Sequence, residues 1–181
     1  MPTPLAHFTI PLLAKEIVDG KRKMSWKLLM LGLFCSAAPD LDVIAFSLGI
    51  PYESEFGHRG FTHSILFSVF MGFLFSFAHK QLETKRFTVF WFITLAWASH
   101  GILDAMTTGG LGIAFFWPID NTRYFLPWQV IKVSPIGFSF FSDRGLAVIK
   151  SEFRWVILPS IIALCIIMMF KKILLKNEKG E

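Results

Sequence analysis

Three stretches of this 181-residue chain are apolar for most of the thickness of a bilayer, and each is interrupted or flanked by side chains that lipid does not tolerate. Crossing the hydrocarbon layer takes about 20 mainly apolar residues. Residues 61–78 (FTHSILFSVFMGFLFSFA), 87–106 (FTVFWFITLAWASHGILDAM) and 155–170 (WVILPSIIALCIIMMF) approach that length. Residues 26–50 are apolar too, but are broken by PDLD at 39–42, and residues 4–19 are apolar at first and then turn polar. The reading is an all-α polytopic membrane bundle of about five helices, two of them imperfect, forming a single domain over 1–181. Composition agrees: 54% of residues are hydrophobic and 17% charged, with 21 Phe and 6 Trp, where a soluble domain carries about 25% charge. The two cysteines, Cys35 and Cys165, fall in separate apolar runs and suggest neither a disulfide framework nor a CxxC metal site. The opening MPTPLAHFTIPLLA lacks a basic start and a cleavage site, so no secretory leader is expected.

Lysine and arginine set the expected orientation. Lys15, Lys21, Arg22, Lys23 and Lys27 form one basic stretch, Lys80, Lys85 and Arg86 a second, and Lys171, Lys172, Lys176 and Lys179 a third. Five helices put all three on one side, taken as the cytoplasm, with the N-terminus outside and the C-terminus inside. The loop 51–60 and the segment 107–154 then face outward, although Arg123, Lys132, Arg144, Lys150 and Arg154 dilute the asymmetry. The net charge of +5 is read as topology, not as nucleic-acid binding, which needs one continuous basic face.

Depth is the informative quantity. His7 lies 14 residues from Lys21, Asp40 14 from Trp26, His100 14 from Arg86, and His63 16 from His79. At about 1.5 Å per residue, each polar group sits roughly 21–24 Å above the basic boundary of a layer about 30 Å thick. His7, Asp40, Asp42, His58, His63, His100 and Asp104 therefore share one level, and all are potential metal ligands. Imidazole with carboxylate suits zinc, iron or manganese. His100 and Asp104, four apart, share a helix face. Pro39 breaks its helix, which lets Asp40 and Asp42 both turn inward. Gly57 and Gly60 allow the loop around His58 to fold back. A carboxylate in a spanning helix costs about 2.5–3.5 kcal/mol near the bilayer centre. Arg59 alone cannot balance three aspartates, whereas divalent cations can. His79, in the basic loop, pairs with nothing and is read as interfacial.

PDLD, GHRGFTHS and SHGILDAMTTGG, followed by FFWPID, resemble the YdjM-like family of membrane-bound metal-dependent hydrolases, also described as LexA-regulated inner-membrane proteins. The resemblance runs from His7 to about Asp120. That family is grouped with zinc-dependent phospholipase C and the S1/P1 nucleases, all-helical enzymes that cleave phosphoesters with up to three zinc ions. It implies His7, Asp40, His63, His100 and Asp104 as ligands, with Asp42 and His58 as ligands or supports. The N-terminal tryptophan and later HxxxE pair of the soluble enzymes have no counterpart, so two zinc ions are preferred to three.

The expected chemistry is hydrolysis of a phosphoester, in a lipid or lipid-linked substrate, by metal-activated water. Asp42 is the preferred base. Arg59 is expected to hold phosphate oxygens with its planar fork. Thr62 and Ser64 either bond ligands or substrate, or cap the helix that follows. Nine aromatics between Phe115 and Phe141 make 107–154 an interfacial, lid-like segment. Two other classes stay open: a metal-ion transporter, which needs polar residues continuing toward the cytoplasmic side, and an inert partner protein whose metals are structural.

Overall fold

The computed structural model describes residues 1–18, 23–135 and 140–177, with side chains to 174. Lys21, Arg22 and Lys179 of the basic stretches, and residues 136–139 of the aromatic segment, lie outside the described residues, as does the side chain of Lys176.

Among the described residues the helices form five rods. Helix α1 spans Pro4–Val18. Helix α2 (Trp26–Ala37) begins at Ser25, whose hydroxyl accepts the Leu28 N–H at 3.3 Å. It tightens into a 3-10 turn over Ala38–Val43, then resumes as the short α3, Ile44–Ser47. Helix α4 (Ile65–Ser76) is capped by Ser64, which accepts the Phe67 N–H at 3.1 Å. Helix α5 spans Arg86–Ala105. The last rod runs from α6 (Asp143–Glu152) through a π turn (Phe153–Ile157) into α7 (Leu158–Asn177). Pro159 supplies no N–H for the carbonyl four residues back, and the widened turn sits where that bond is missing.

Three rods are long and apolar enough to cross a membrane: Trp26–Ser47, Arg86–Ala105 and Asp143–Leu174. Burial ranks them, at 39%, 61% and 6% of their most apolar windows. Helix α5 is thus the central one, and the last rod lies at the periphery. Leu28, Cys35, Ala38, Leu82, Val89, Phe92, Ile93 and Trp97 form the main core, largely between α2 and α5. Lipid offers no hydrophobic drive between helices, so close packing has to hold them. Gly72 shows how close α4 and α5 come: a Cβ there would lie 2.0 Å from Thr94 Oγ1 and 2.6 Å from the Phe90 carbonyl oxygen.

Two expectations are modified. The run 61–78 contains only 12 residues of α-helix, about 18 Å long, too short for the layer. Its first residues are instead drawn into a 3-10 turn, Phe61–His63, that belongs to the polar loop. The lid-like segment 107–154 is irregular only in its earlier part, with isolated bridges pairing Thr107 with Ile131 and Ile113 with Tyr124. From Asp143 onward it is helix, starting with an acidic first turn that suits the helix dipole.

The basic stretches meet at one end of the bundle. Lys27 pairs with Glu83 of the α4–α5 turn, and Lys171 Nζ lies 3.8 Å from Glu16 Oε2 at the end of α1. Changing Gly72 to Ala should separate α4 from α5 and destabilise the fold by about 1–3 kcal/mol, the usual cost of overpacking. Unfolding of the purified protein in detergent would show this as a lowered midpoint.

Candidate metal centre

Four chain segments deliver the polar residues to one place. Helix α5 carries His100 and Asp104 one turn apart. The 3-10 break supplies Asp40 and Asp42, the 57–64 loop His58, Arg59, Thr62 and His63, and α1 brings His7. His7, His100 and Asp104 are completely buried. Ligand-capable atoms of Asp40, His63, His100 and Asp104 all lie within 4.8 Å of one another, as do those of Asp42, His58 and His63. His100 Nε2 is 3.2 Å from Asp40 Oδ1, and His63 Nε2 is 3.9 Å from both Asp40 Oδ1 and Asp104 Oδ2. The His7 ring stacks on His100 with centroids 3.8 Å apart. Residues that the sequence placed in separate segments thus converge in space.

Six buried atoms here have no hydrogen-bond partner: both ring nitrogens of His7, Asp40 Oδ1, His63 Nε2, His100 Nε2 and Asp104 Oδ1. Buried polar atoms are nearly always bonded, and a cluster of bare ones calls for a ligand. The other faces of the two central imidazoles are held. His100 Nδ1 lies 2.8 Å from the Ser36 carbonyl, which can only accept, so the proton sits on Nδ1 and the Nε2 lone pair faces the cluster. His63 Nδ1 lies 3.2 Å from Asp42 Oδ2 and 3.0 Å from Thr62 Oγ1, and the Thr62 hydroxyl donates to Asp42 at 2.7 Å. His63 Nδ1–H therefore points at Asp42 and leaves Nε2 bare. A carboxylate or carbonyl behind each imidazole is the arrangement that orients histidine toward a metal. With neutral histidines, the side chains of Asp40, Asp42 and Asp104 outweigh Arg59 by two negative charges, and the buried amino group of Met1 adds positive charge near Asp104. The donor set of imidazoles and carboxylates fits a divalent metal ion.

Asp42, expected as base, and Arg59, expected to hold phosphate oxygens, are both engaged within the protein. Asp42 Oδ1 lies 2.6 Å from His58 Nδ1, while Oδ2 accepts the Arg59 backbone N–H at 3.1 Å and the Thr62 hydroxyl. The Arg59 guanidinium is fully buried. It donates to Asp104 Oδ2 at 2.8 Å, to the Gly109 and Leu111 carbonyls at 3.0 and 2.8 Å, and to Thr107 Oγ1 at 3.0 Å. Its fork closes on the 107–111 segment and on one carboxylate of the cluster. Ser64 caps α4.

The loop is forced into shape. Arg59 holds a left-handed backbone, φ 65°, which costs about 1 kcal/mol or more and persists only where surroundings impose it. A Cβ on Gly60 would lie 2.1 Å from the Glu55 carbonyl oxygen. Arg123 clamps the outside, donating to the carbonyls of His58 at 3.0 Å, Tyr52 at 3.1 Å and Ser54 at 2.9 Å. Trp97 Nε1 donates to the Thr62 carbonyl at 2.8 Å from below. Sequence reasoning missed Arg123, Trp97 and Ser36. Arg123 read as one more outer charge, and a backbone carbonyl such as that of Ser36 leaves no mark in sequence. Asp120, accepting from Thr122 and from the Tyr124 hydroxyl at 2.5 Å, is held below the usual carboxylate range within its own loop. His79, half-buried in the turn after α4, stands apart from the cluster.

Replacing Thr62 with Val removes the bridge between Asp42 and His63 without changing volume. Divalent-metal affinity should fall about 10-fold or more, measured by competition with a chromophoric chelator. Arg123→Lys, which loses the fork, should raise proteolysis in the 51–60 loop.

Comparison with known proteins identifies the family. A family model described as "YdjM inner membrane protein" matches residues 1–174. "Inner membrane protein YbcI" of Escherichia coli (strain K12) is 38% identical over 164 residues, covering 90% of this chain and 94% of the relative. "Uncharacterized protein YvsG" of Bacillus subtilis (strain 168) is 40% identical over 63 residues, 35% of this chain and 36% of that protein. No solved structure matches. With a family model spanning nearly the whole chain and a relative aligned over most of both lengths, the chain belongs to the YdjM inner membrane protein family.

Proposed function

We propose that this inner membrane protein is a zinc-dependent hydrolase that cleaves a phosphoester of a lipid or lipid-linked substrate, with its site toward the extracytoplasmic side. The observation that carries the reading is the group of bare, buried donors on Asp40, His63, His100 and Asp104, brought from three segments to within 4.8 Å of one another, with His7 stacked on His100 beside them. His63 Nε2, His100 Nε2, Asp40, Asp104 and His7 would hold the metal, one ion where the sequence suggested two, since Asp42, His58 Nδ1 and His63 Nδ1 are bonded to one another. A bound divalent cation supplies Lewis acidity toward phosphoryl oxygens and acidifies water toward neutral pH.

The chain's own residues would do the rest. Asp42 fixes the His63 tautomer and accepts from His58 Nδ1–H, leaving His58 Nε2 to take a proton from water or give one to the leaving oxygen. Arg59 holds Asp104 in place. Access is supported at one ligand. The Asp40 side chain keeps 16% exposure, while those of His63, His100 and Asp104 keep none. Leu41 and Ile44, 62% and 64% exposed, flank that opening. An amphiphile with its tail against these residues and its head group at Asp40 suits such surroundings.

A transporter reading finds less support. Among the described residues Cys35, Phe92, Ile93 and Trp97 belong to the apolar core between α2 and α5, and the polar side chains buried in α4 and the first half of α5 are the neutral hydroxyls of Ser68, Ser76 and Thr94.

Purified protein should contain zinc by elemental analysis. His63→Ala and Asp104→Asn should lose that metal and reduce turnover to background while still inserting in the membrane. Lipid mass spectrometry of membranes with and without the protein should show one phosphoester class depleted. Variants that lack metal yet leave the lipid change intact would overturn the proposal.

A further inference from the structure

We infer that Glu152 is a positioning residue for the metal centre, acting through α1 on His7. This rests on the reading of His7 as a metal ligand. Glu152 is the last residue of α6, at the start of the π turn, inside the outermost candidate span, and is 2% exposed. Both of its oxygens go to one residue of another rod: Oε1 accepts the Thr3 N–H at 2.6 Å and Oε2 the Thr3 hydroxyl at 2.5 Å.

Thr3 directly precedes α1, and its carbonyl accepts the Ala6 N–H at 3.0 Å. Glu152 therefore caps the start of α1 from a distant helix. It satisfies a donor that the first turn leaves free and puts negative charge at the positive end of the helix. The contact is seated beside a small apolar cluster of Ala6, Leu103, Ile131 and Val156.

The consequence falls on His7, one turn further along. The other two central histidines are each held by a bond on the far ring nitrogen, His100 by Ser36 and His63 by Asp42 with Thr62. His7 has no such bond, since both of its ring nitrogens are unpartnered. Its place is set by stacking on His100 and by where α1 sits. Glu152 fixes α1 at that end, so it does for His7 what Asp42 does for His63, one helix removed. A carboxylate in an apolar rod, with both oxygens on a single threonine, then has a reason to be there.

The test is a double-mutant cycle on zinc affinity, read by chelator competition with the full-length protein in detergent. Glu152→Ala should weaken zinc binding about 10-fold, as loss of a supporting partner does, and shift the visible spectrum of the cobalt-loaded protein toward that of His7→Ala. Glu152→Gln, which still accepts from Thr3, should restore most of the affinity. In the His7→Ala background Glu152→Ala should change nothing further. Equal weakening in both backgrounds, or none in either, would overturn the inference, because a merely structural contact acts regardless of His7. Should Glu152→Ala fail to fold, Thr3→Val, which removes only the hydroxyl bond, carries the same cycle with a smaller effect. A wild-type protein that binds no zinc would overturn the metal reading itself, and this inference with it.

Discussion

Three carboxylates and four imidazoles within an apolar bundle demand compensation, and the structure is organised around supplying it. A carboxylate at this depth is expensive by itself. Here Arg59 offsets one of the charges through Asp104, and Asp42 is spread over bonds from His58, Arg59 and Thr62. What is left, Asp40 Oδ1, Asp104 Oδ1 and the bare Nε2 atoms of His63 and His100, belongs to four side chains whose ligand-capable atoms lie within 4.8 Å of one another. A cation there would complete the electrostatics.

That demand explains the irregular backbone. Non-helical chain at membrane depth survives only where it is buried in protein. The 57–64 loop meets this condition by sending its carbonyls to Arg123 and Trp97 and by taking Arg59 into a strained conformation. The break at Pro39 serves the same end. It turns Asp40 and Asp42 toward the loop at the level of His100, where a straight α2 would have left them on different faces. Regular helix is kept where apolar packing carries the fold, in the lower halves of α2, α4 and α5. The metal centre and the core are thus stacked along one axis, with α5 running through both.

The family assignment and the geometry constrain each other. Membership in the YdjM inner membrane protein family places the chain in a membrane. The arrangement of donors adds what family membership does not specify: a buried His/Asp cluster that could hold a metal ion, with Asp40 its one partly exposed carboxylate.

Much of this was legible in the sequence, because membrane depth is nearly a function of residue number. Counting residues was enough to suggest that His7, Asp40, His63 and His100 belong together although Asp40 and His63 sit in 3-10 turns, and HxxxD must share a helix face whatever the tertiary fold. The rods follow from apolar run length, and the ligand types from their chemistry. Direction around an axis and the fate of each lone pair are different matters, since they depend on neighbours far away in sequence. Only the tertiary structure decided that Arg59 turns onto Asp104 and the 107–111 carbonyls, that Asp42 is consumed by its own loop, and that Ser36 orients His100 through a backbone oxygen. It also decided that Glu152, 149 residues from Thr3, closes the bundle onto its first helix. Distance along a helix is fixed by covalent geometry; partnership across helices is fixed by packing, which no single segment contains.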